Sequence, residues 1–379
     1  MRTVLLQCHS PRKYRDMGDD RARASTLANV ELERGFRVDG TPSDELIAAT
    51  VAAHDRGWLP DVIFGDGRVV GSGTPDLLDL VDVPQDELSQ LVDRRRLPRW
   101  VIGKGSFGPA FVEVKSLMRK TALNTVCEEA ACPNISRCWS RGTATFMIAG
   151  ERCTRGCKFC NVLSAKPLAP PDPDEPERVA EAAAAMGLRF VVVTAVARDD
   201  MPDGGAQHFA DTIAALRRRL PEAKIEVLIP DLRGNWDALD TVIDAAPDVL
   251  NHNTETVPRL YKRVRPGARY ERTLELLERG TRAGMVVKSG IMVGLGERLP
   301  EIAQVFRDLH SVGSDLVTVG QYLSPSDEHL PVERFYAMPE YRALEVMGRA
   351  AGLAHVESGP LVRSSYEADR VAESVHSVA

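Results

Sequence analysis

Two hydrophobic patterns alternate along the chain from about residue 175 onward. Segments with apolar residues at helical spacing fall at 176–187, 206–220, 235–246, 271–283 and 300–312. Between them lie short Val/Ile-rich runs at 189–196, 224–229, 248–253, 285–293 and 315–321. A run that is apolar at nearly every position needs cover on both faces, as in a parallel sheet packed between helices. With TFMIAG at 145–150 as the first strand, the pattern predicts six βα-type units. Six fall short of a closed eight-stranded barrel, so the expected fold is α/β, a partial (β/α)6 TIM-type barrel. Functional groups are then expected at the C-terminal ends of its strands.

The flanks read differently. Residues 1–95 show no repeat and no motif that assigns them a role; a helix is expected near 43–57 and a hairpin over 61–73, with Asp66-Gly67 as its turn. From Arg96 an extended lead-in, RLPRWVIGKG, runs into a helix near 111–122. The chain thus divides into an N-terminal extension (1–95), a cysteine-bearing segment (96–144), the barrel (145–337) and a C-terminal helix and tail (338–379), the last holding a helix near 338–351 and a strand at 353–357.

Charge narrows the class. Lys and Arg number 48 against 54 Asp and Glu, a net charge of −6, which excludes a generally basic nucleic-acid coat. No apolar run is long enough to span a membrane. The first residues, MRTVLLQCHSPRKYRD, hold an apolar stretch too short for a secretory signal, and Asp16, Asp19 and Asp20 among the arginines argue against a mitochondrial transit peptide. A cytoplasmic enzyme is expected.

Six of the seven cysteines crowd between Cys127 and Cys160. In a long chain without an export signal, that crowding favours metal over disulfides. Cys153-x3-Cys157-x2-Cys160 follows the first predicted strand, and three thiolates so spaced can hold three corners of a [4Fe–4S] cube while one iron keeps no protein ligand. A zinc site is the alternative, but zinc wants four ligands and a fourth Cys or His is missing nearby. Cys127-x4-Cys132-x5-Cys138 offers a second trio. Two cubes have eight corners, so six cysteines leave two irons without thiolate. Cys8-His9, lacking a spaced partner, reads as an incidental thiol, and the remaining histidines are dispersed, with His208 and His252 near strand tips.

The Cys-x3-Cys-x2-Cys loop resembles the radical S-adenosylmethionine superfamily. The longer text VCEEAACPNISRCWSRGTATFMIAGERCTRGCKFCNV resembles the lipoyl synthase family, as do VTAVARDDMPDGGAQHFA, DVLNHNTETVPRLYKRVRPGARY, KSGIMVGLGE, LVTVGQYLSPS and GPLVRSSYEAD. The likeness runs from about Arg96 to Asp369. It implies two [4Fe–4S] clusters and S-adenosylmethionine as cofactors. One cluster is implied at Cys153, Cys157 and Cys160, with S-adenosylmethionine on the open iron. The auxiliary one is implied at Cys127, Cys132 and Cys138, with Ser365 of the Arg363-Ser364-Ser365-Tyr366 motif as fourth ligand. A serine oxygen is harder than thiolate, so that corner should release most easily. Phe159 packs near adenine or simply covers the cluster. Gly204 and Gly205 resemble a glycine pair that meets the methionine amino group; Asn253 and Glu255 hold ribose or carboxylate, or cap a helix. Lys288, Ser289, Met292, the loop Gly294 to Glu297, Gln321 and Tyr322 sit at strand tips without individual roles.

The reaction so implied is insertion of sulfur at C6 and C8 of an octanoyl chain amide-linked to a lysine of a lipoyl carrier domain, with the auxiliary cluster as sulfur donor. Such C–H bonds have no acidity for a general base to exploit. Implied partners are octanoylated carrier domains of 2-oxoacid dehydrogenase acyltransferase subunits and the glycine cleavage H protein, an electron donor and an iron–sulfur carrier protein, with no nucleic acid and no membrane. Arg259, Lys262, Arg263, Arg265, Arg269 and Arg272 form either a docking patch for an acidic carrier or a solvated helix face that spares one arginine for the S-adenosylmethionine carboxylate. Competing readings are another sulfur-inserting enzyme of the biotin-synthase kind, a two-cluster electron carrier and a zinc-binding interaction module. The first trio and the RSSY tail weigh against the first, and a count of six cysteines against the second.

Overall fold

The computed structural model describes residues 108–314 and 316–365, together with four strands nearer the N-terminus. Those four, β1 (Val4–His9), β2 (Val30–Glu31), β3 (Leu59–Phe64) and β4 (Val69–Val70), form a sheet in the order β2-β1-β3-β4. The predicted hairpin is its β3–β4 pair, with Val62 opposite Val70, and Cys8 and His9 lie on β1. The helix expected near 43–57 and the lead-in from Arg96 fall outside the described residues, as do Tyr366 and everything after it.

The rest is built on one eight-stranded sheet in the order β14-β13-β12-β11-β10-β9-β6-β5. Its strands are β5 (Asn124–Thr125), β6 (Thr145–Ile148), β9 (Phe190–Ala195), β10 (Lys224–Leu228), β11 (Val249–Asn251), β12 (Val286–Val293), β13 (Leu316–Gln321) and β14 (His355–Gly359). Every pairing from β6 to β14 is parallel, and β5 alone runs antiparallel. The six predicted strands are therefore present in the predicted order. The structure adds β14 as a further parallel strand beside β13, where the sequence offered a strand leading only into a tail. In addition, Arg152–Cys153 (β7) and Leu163–Ser164 (β8) pair with each other and frame the second cysteine trio.

Helices α4 (Glu175–Ala185), α5 (Ala206–Arg219), α6 (Trp236–Asp244), α8 (Tyr270–Arg282) and α9 (Leu299–Ser311) cover the outside, after the short helices α1 (Pro109–Lys120), α2 (Val126–Glu129) and α3 (Ile135–Ser140). The short α7 (Tyr261–Val264) precedes α8, and α10 (Met338–Ala350) precedes β14. Strand and helix fit because alternate strand residues, Val191 and Val193 or Ile225 and Val227, are fully buried against them. Each such side chain contributes about 1.5–3 kcal/mol by leaving water. Glu175, at the start of α4, accepts the Ala149 N–H at 2.8 Å and His208 Nε2 at 2.7 Å, locking the end of β6 to α5.

Inside the barrel Lys288 Nζ bonds both Glu226 oxygens at 3.1 Å, and Asn251 Nδ2 bonds the same carboxylate at 2.7 Å. Lys288 and Glu226 are each 1% exposed, so the pair exists only because each neutralises the other. This gives Lys288 a structural place. Glu226→Gln should lose about 3 kcal/mol by stranding a buried ammonium, whereas Glu226→Leu combined with Lys288→Met should recover most of it. Denaturant midpoints of the two proteins measure the difference.

Candidate functional site

The strand ends, the first cysteine segment and the tail surround one cavity of about 1480 Å³. That is more room than a single small ligand needs. Cys127, Cys132 and Cys138 line it from the β5 side, Cys160 and Phe159 from the loop after β6, and Ser364 and Ser365 from the tail. Asn253, Glu255, Gly290, Met292, Thr318, Gly320, Gln321 and Tyr322 form the sheet wall. All three thiols of the first group and Cys160 of the second, which the sequence separates, thus line one space.

Local structure explains how the first trio is presented. Thr125 caps α2, accepting the Glu128 N–H at 3.3 Å, and Cys132 N–H bonds Cys127 O at 3.0 Å, so the chain turns tightly between the two thiols. Cys138 ends a second turn closed by Thr143 Oγ1 on its carbonyl at 2.9 Å. Trp139 is fully buried, 5.1 Å from Phe111 between ring centres, and anchors this turn. Its indole N–H has no oxygen or nitrogen partner and stands beside the Cys127 sulfur. A buried donor turned toward the Cys127 sulfur suits a group whose acceptors are sulfur.

The second trio is held by charge. Arg155, within the Cys153–Cys157 loop, donates to both Asp199 oxygens at 2.8 Å and pairs with Asp231 at 2.6 Å. Arg272 reaches Asp231 from α8 at 3.0 Å. Burial alone would raise the Asp231 carboxyl; Arg155 overrides it and holds the group at about 2. Further bonds fix the loop's far end, from Lys158 N–H to Val264 O at 2.8 Å and between His329 Nε2 and Cys160 O at 3.1 Å. Burial pushes the Cys157 thiol up, and Arg265 opposes it. Burial also takes the Cys160 and Cys127 thiols up to about 12 and Cys138 up to about 11, with neighbouring cysteines adding to the rise. Without metal these thiols keep their protons at neutral pH.

Arg265, 7% exposed, sits between Cys157 and Glu255. Its Nη1 bonds Asn253 O at 2.6 Å, while its Nε has no partner. Glu255 has φ 66°, strained for a residue with a Cβ, and is kept there by bonds from its N–H to Gly290 O at 2.8 Å and from Met292 N–H to its carbonyl at 2.9 Å. Burial raises its carboxyl, offset by Arg265 and by Asn253, whose Nδ2 donates to it at 3.0 Å.

Other expected residues stand elsewhere. Gly204 and Gly205 (φ 63° and 91°) open α5 away from the cavity lining, their N–H groups engaged by Met201 O and Asp203 Oδ1. Ser289 is fully buried and braces β11, bonding His252 O at 2.9 Å and Thr254 Oγ1 at 2.8 Å. Of the arginine-rich stretch, Arg259 pairs with Glu301 and Arg263 with Glu333 at the surface, Arg272 pairs with buried Asp231, and Arg265 bonds the Asn253 carbonyl inside. Sequence reasoning missed Arg155 and Asp231; an arginine inside a three-residue cysteine spacer was the available signal. Among the described residues, no three His, Cys, Asp or Glu side chains converge on a single metal ion. A cube asks something else, one thiolate at each iron.

Two family models match the chain: the Radical SAM superfamily over residues 147–309, and the N-terminal domain of lipoyl synthase of the Radical SAM family over 74–132. The second extends the family likeness ahead of Arg96. A lipoyl synthase of Symbiobacterium thermophilum is 54% identical over 293 residues, covering 76% of this chain and 91% of its own. One of Chloroflexus aurantiacus is 51% identical over 282 residues, covering 74% and 92%. Among solved structures, the FeFe-hydrogenase maturase HydG from Carboxydothermus hydrogenoformans aligns at 17% identity with a TM-score of 0.45, over 79% of this chain and 70% of that one. With more than half of the residues shared across nine-tenths of a relative's length, the chain belongs to the lipoyl synthase family of radical S-adenosylmethionine enzymes.

Proposed function

We propose that this enzyme inserts two sulfur atoms, at C6 and C8, into an octanoyl group amide-linked to a lysine of a lipoyl carrier domain. The observation that carries the reading is the meeting of Cys127, Cys132, Cys138, Cys160 and Ser365 on one cavity. Cys153, Cys157 and Cys160 hold one [4Fe–4S] cluster, and Cys127, Cys132 and Cys138 hold a second with Ser365. When bound, the first supplies, with S-adenosylmethionine, a carbon-centred radical able to take hydrogen from unactivated C–H bonds, and the second supplies sulfur.

The chain's own residues bind, orient and exclude water. Arg155 fixes the second cysteine loop against Asp199 and Asp231, so its three thiols keep one orientation. Arg265, with its spare Nε, meets the carboxylate of S-adenosylmethionine beside Cys157. Glu255 stands ready for its amino group, and Phe159 packs along its adenine. Ser289 braces the segment carrying Asn253 from behind the wall. Met292, Tyr322 and Leu323 offer the apolar surface that a fatty acyl chain needs. No group on this wall acts as a general base, in keeping with a substrate whose reacting hydrogens are not acidic.

The partners follow from this chemistry: octanoylated carrier domains of acyltransferase subunits and of the glycine cleavage H protein, an electron donor, and an iron–sulfur carrier protein to renew the consumed cluster. No helix among the described residues is long and apolar enough to cross a membrane, and we place the enzyme in the cytoplasm.

Anaerobic incubation with S-adenosylmethionine, a reductant and an octanoyl-lysine peptide should yield a peptide carrying two added sulfurs by mass. Release of 5′-deoxyadenosine without sulfur gain would overturn the assignment. Cys157→Ala should cut deoxyadenosine formation to below about a hundredth of wild type, while Cys132→Ala should keep it and lose sulfur transfer. Equal loss of both activities in Cys132→Ala would contradict the division of roles. Loading should also release protons from Cys127, Cys138, Cys157 and Cys160, because burial keeps these metal-free thiols protonated. In weakly buffered solution the acidification can be read with a pH indicator, and reconstitution should be slower at pH 6 than at pH 8.

A further inference from the structure

The tail that carries Ser365 is seated by a set of contacts with no counterpart in cluster ligation. After Gly359 the chain turns back across the inner face of β13 and β12. At two places on its path the sheet has no side chain. A Cβ at Gly320 would strike Val362 O and lie 3.1 Å from Arg363 Nη1. One at Gly290 would lie 2.7 Å from Asn253 Oδ1, 2.8 Å from Thr318 Oγ1 and 3.0 Å from Ser364 Oγ. Neither glycine has a positive φ, so it is space and not backbone conformation that requires them. Into the cleft at Gly290, Ser364 Oγ donates to Asn253 Oδ1 at 2.8 Å, and Asn253 Nδ2 donates onward to Glu255 Oε1 at 3.0 Å. At the tail's other end Asn134 Nδ2, between Cys132 and Cys138, donates to Leu361 O at 2.6 Å.

We propose that Ser364, Asn253 and Gly290 form a latch: positioning residues that seat the tail, hold Ser365 toward the first cysteine trio, and tie that trio's fourth ligand to Glu255 on the opposite wall. The meaning of Ser365 rests on the function proposed above; the latch itself does not. Loss of the Ser364 hydroxyl leaves Asn253 Oδ1 unsatisfied in a partly closed site, and a methyl at Gly290 crowds the Ser364–Asn253 pair, together with Thr318 Oγ1, without removing any polar group.

Hydrogen exchange of the full chain, metal-free and reconstituted, tests this directly. Ser364→Ala and Gly290→Ala should each speed exchange of the amides at 361–365 by about tenfold, with β9 and β10 protected as in wild type. Reconstituted Ser364→Ala should keep deoxyadenosine formation while sulfur transfer falls by about tenfold. If Gly290→Ala loses protection throughout the sheet, Ser364→Ala decides alone. Wild-type exchange in the tail of Ser364→Ala, or wild-type sulfur transfer by it, would overturn the latch. Should wild type release deoxyadenosine but transfer no sulfur, the functional reading fails, and tail exchange in the metal-free variants still decides the latch.

Discussion

The hydrogen bond from Asn134 to Leu361 O spans the two edges of a sheet that does not close. One edge ends at β5 and the other at β14, and among the described residues nothing in the strand order joins them. An unclosed parallel barrel has to cover its unpaired strands and its interior with something. Here that cover is the chemistry: the segment holding Cys127, Cys132 and Cys138 packs beside β5, and the tail holding Ser365 folds in after β14. The same two segments cover the open barrel and line the site.

Two kinds of support then divide the cavity wall. Behind the second cysteine trio the support is ionic, with Arg155, Asp199, Asp231 and Arg272 holding one another in a largely buried network. Behind the first trio and the tail it is mainly steric and hydrogen-bonded, with Trp139, the glycines at 290 and 320, the Asn134 and Asn253 amides and the Arg363 guanidinium on the tail's own carbonyls. A loop that must stay fixed through turnover suits the first arrangement.

Much of the fold could be read from the sequence because its signals are local. The Val/Ile runs marked six strands, the helical spacing marked their covers, and the cysteine spacers marked two trios of thiols. What stayed hidden depends on partners far away in sequence. Lys288 could be placed on a strand but not paired with Glu226, 62 residues earlier. A strand was visible at 353–357, two residues ahead of the observed His355–Gly359, but its seat beside β13 was not, because edge membership is decided by packing and not by composition. Gly290 and Gly320 look like ordinary strand interruptions until the tail is laid over them. Arg265 could not be told from its charged neighbours by sequence, because what sets it apart is the burial of one guanidinium among several exposed ones.

The central claim is that one cavity holds two iron–sulfur cubes on different ligand sets. It is tested most directly by iron and sulfide analysis with Mössbauer spectroscopy on anaerobically reconstituted protein, compared with a variant in which Cys127, Cys132 and Cys138 are all alanine. The account predicts about eight irons per wild-type chain and about four in the variant, with one iron of the lost cluster bearing an oxygen ligand. A wild-type chain saturating at about four irons, or a first cube anchored by thiolate alone, would contradict it.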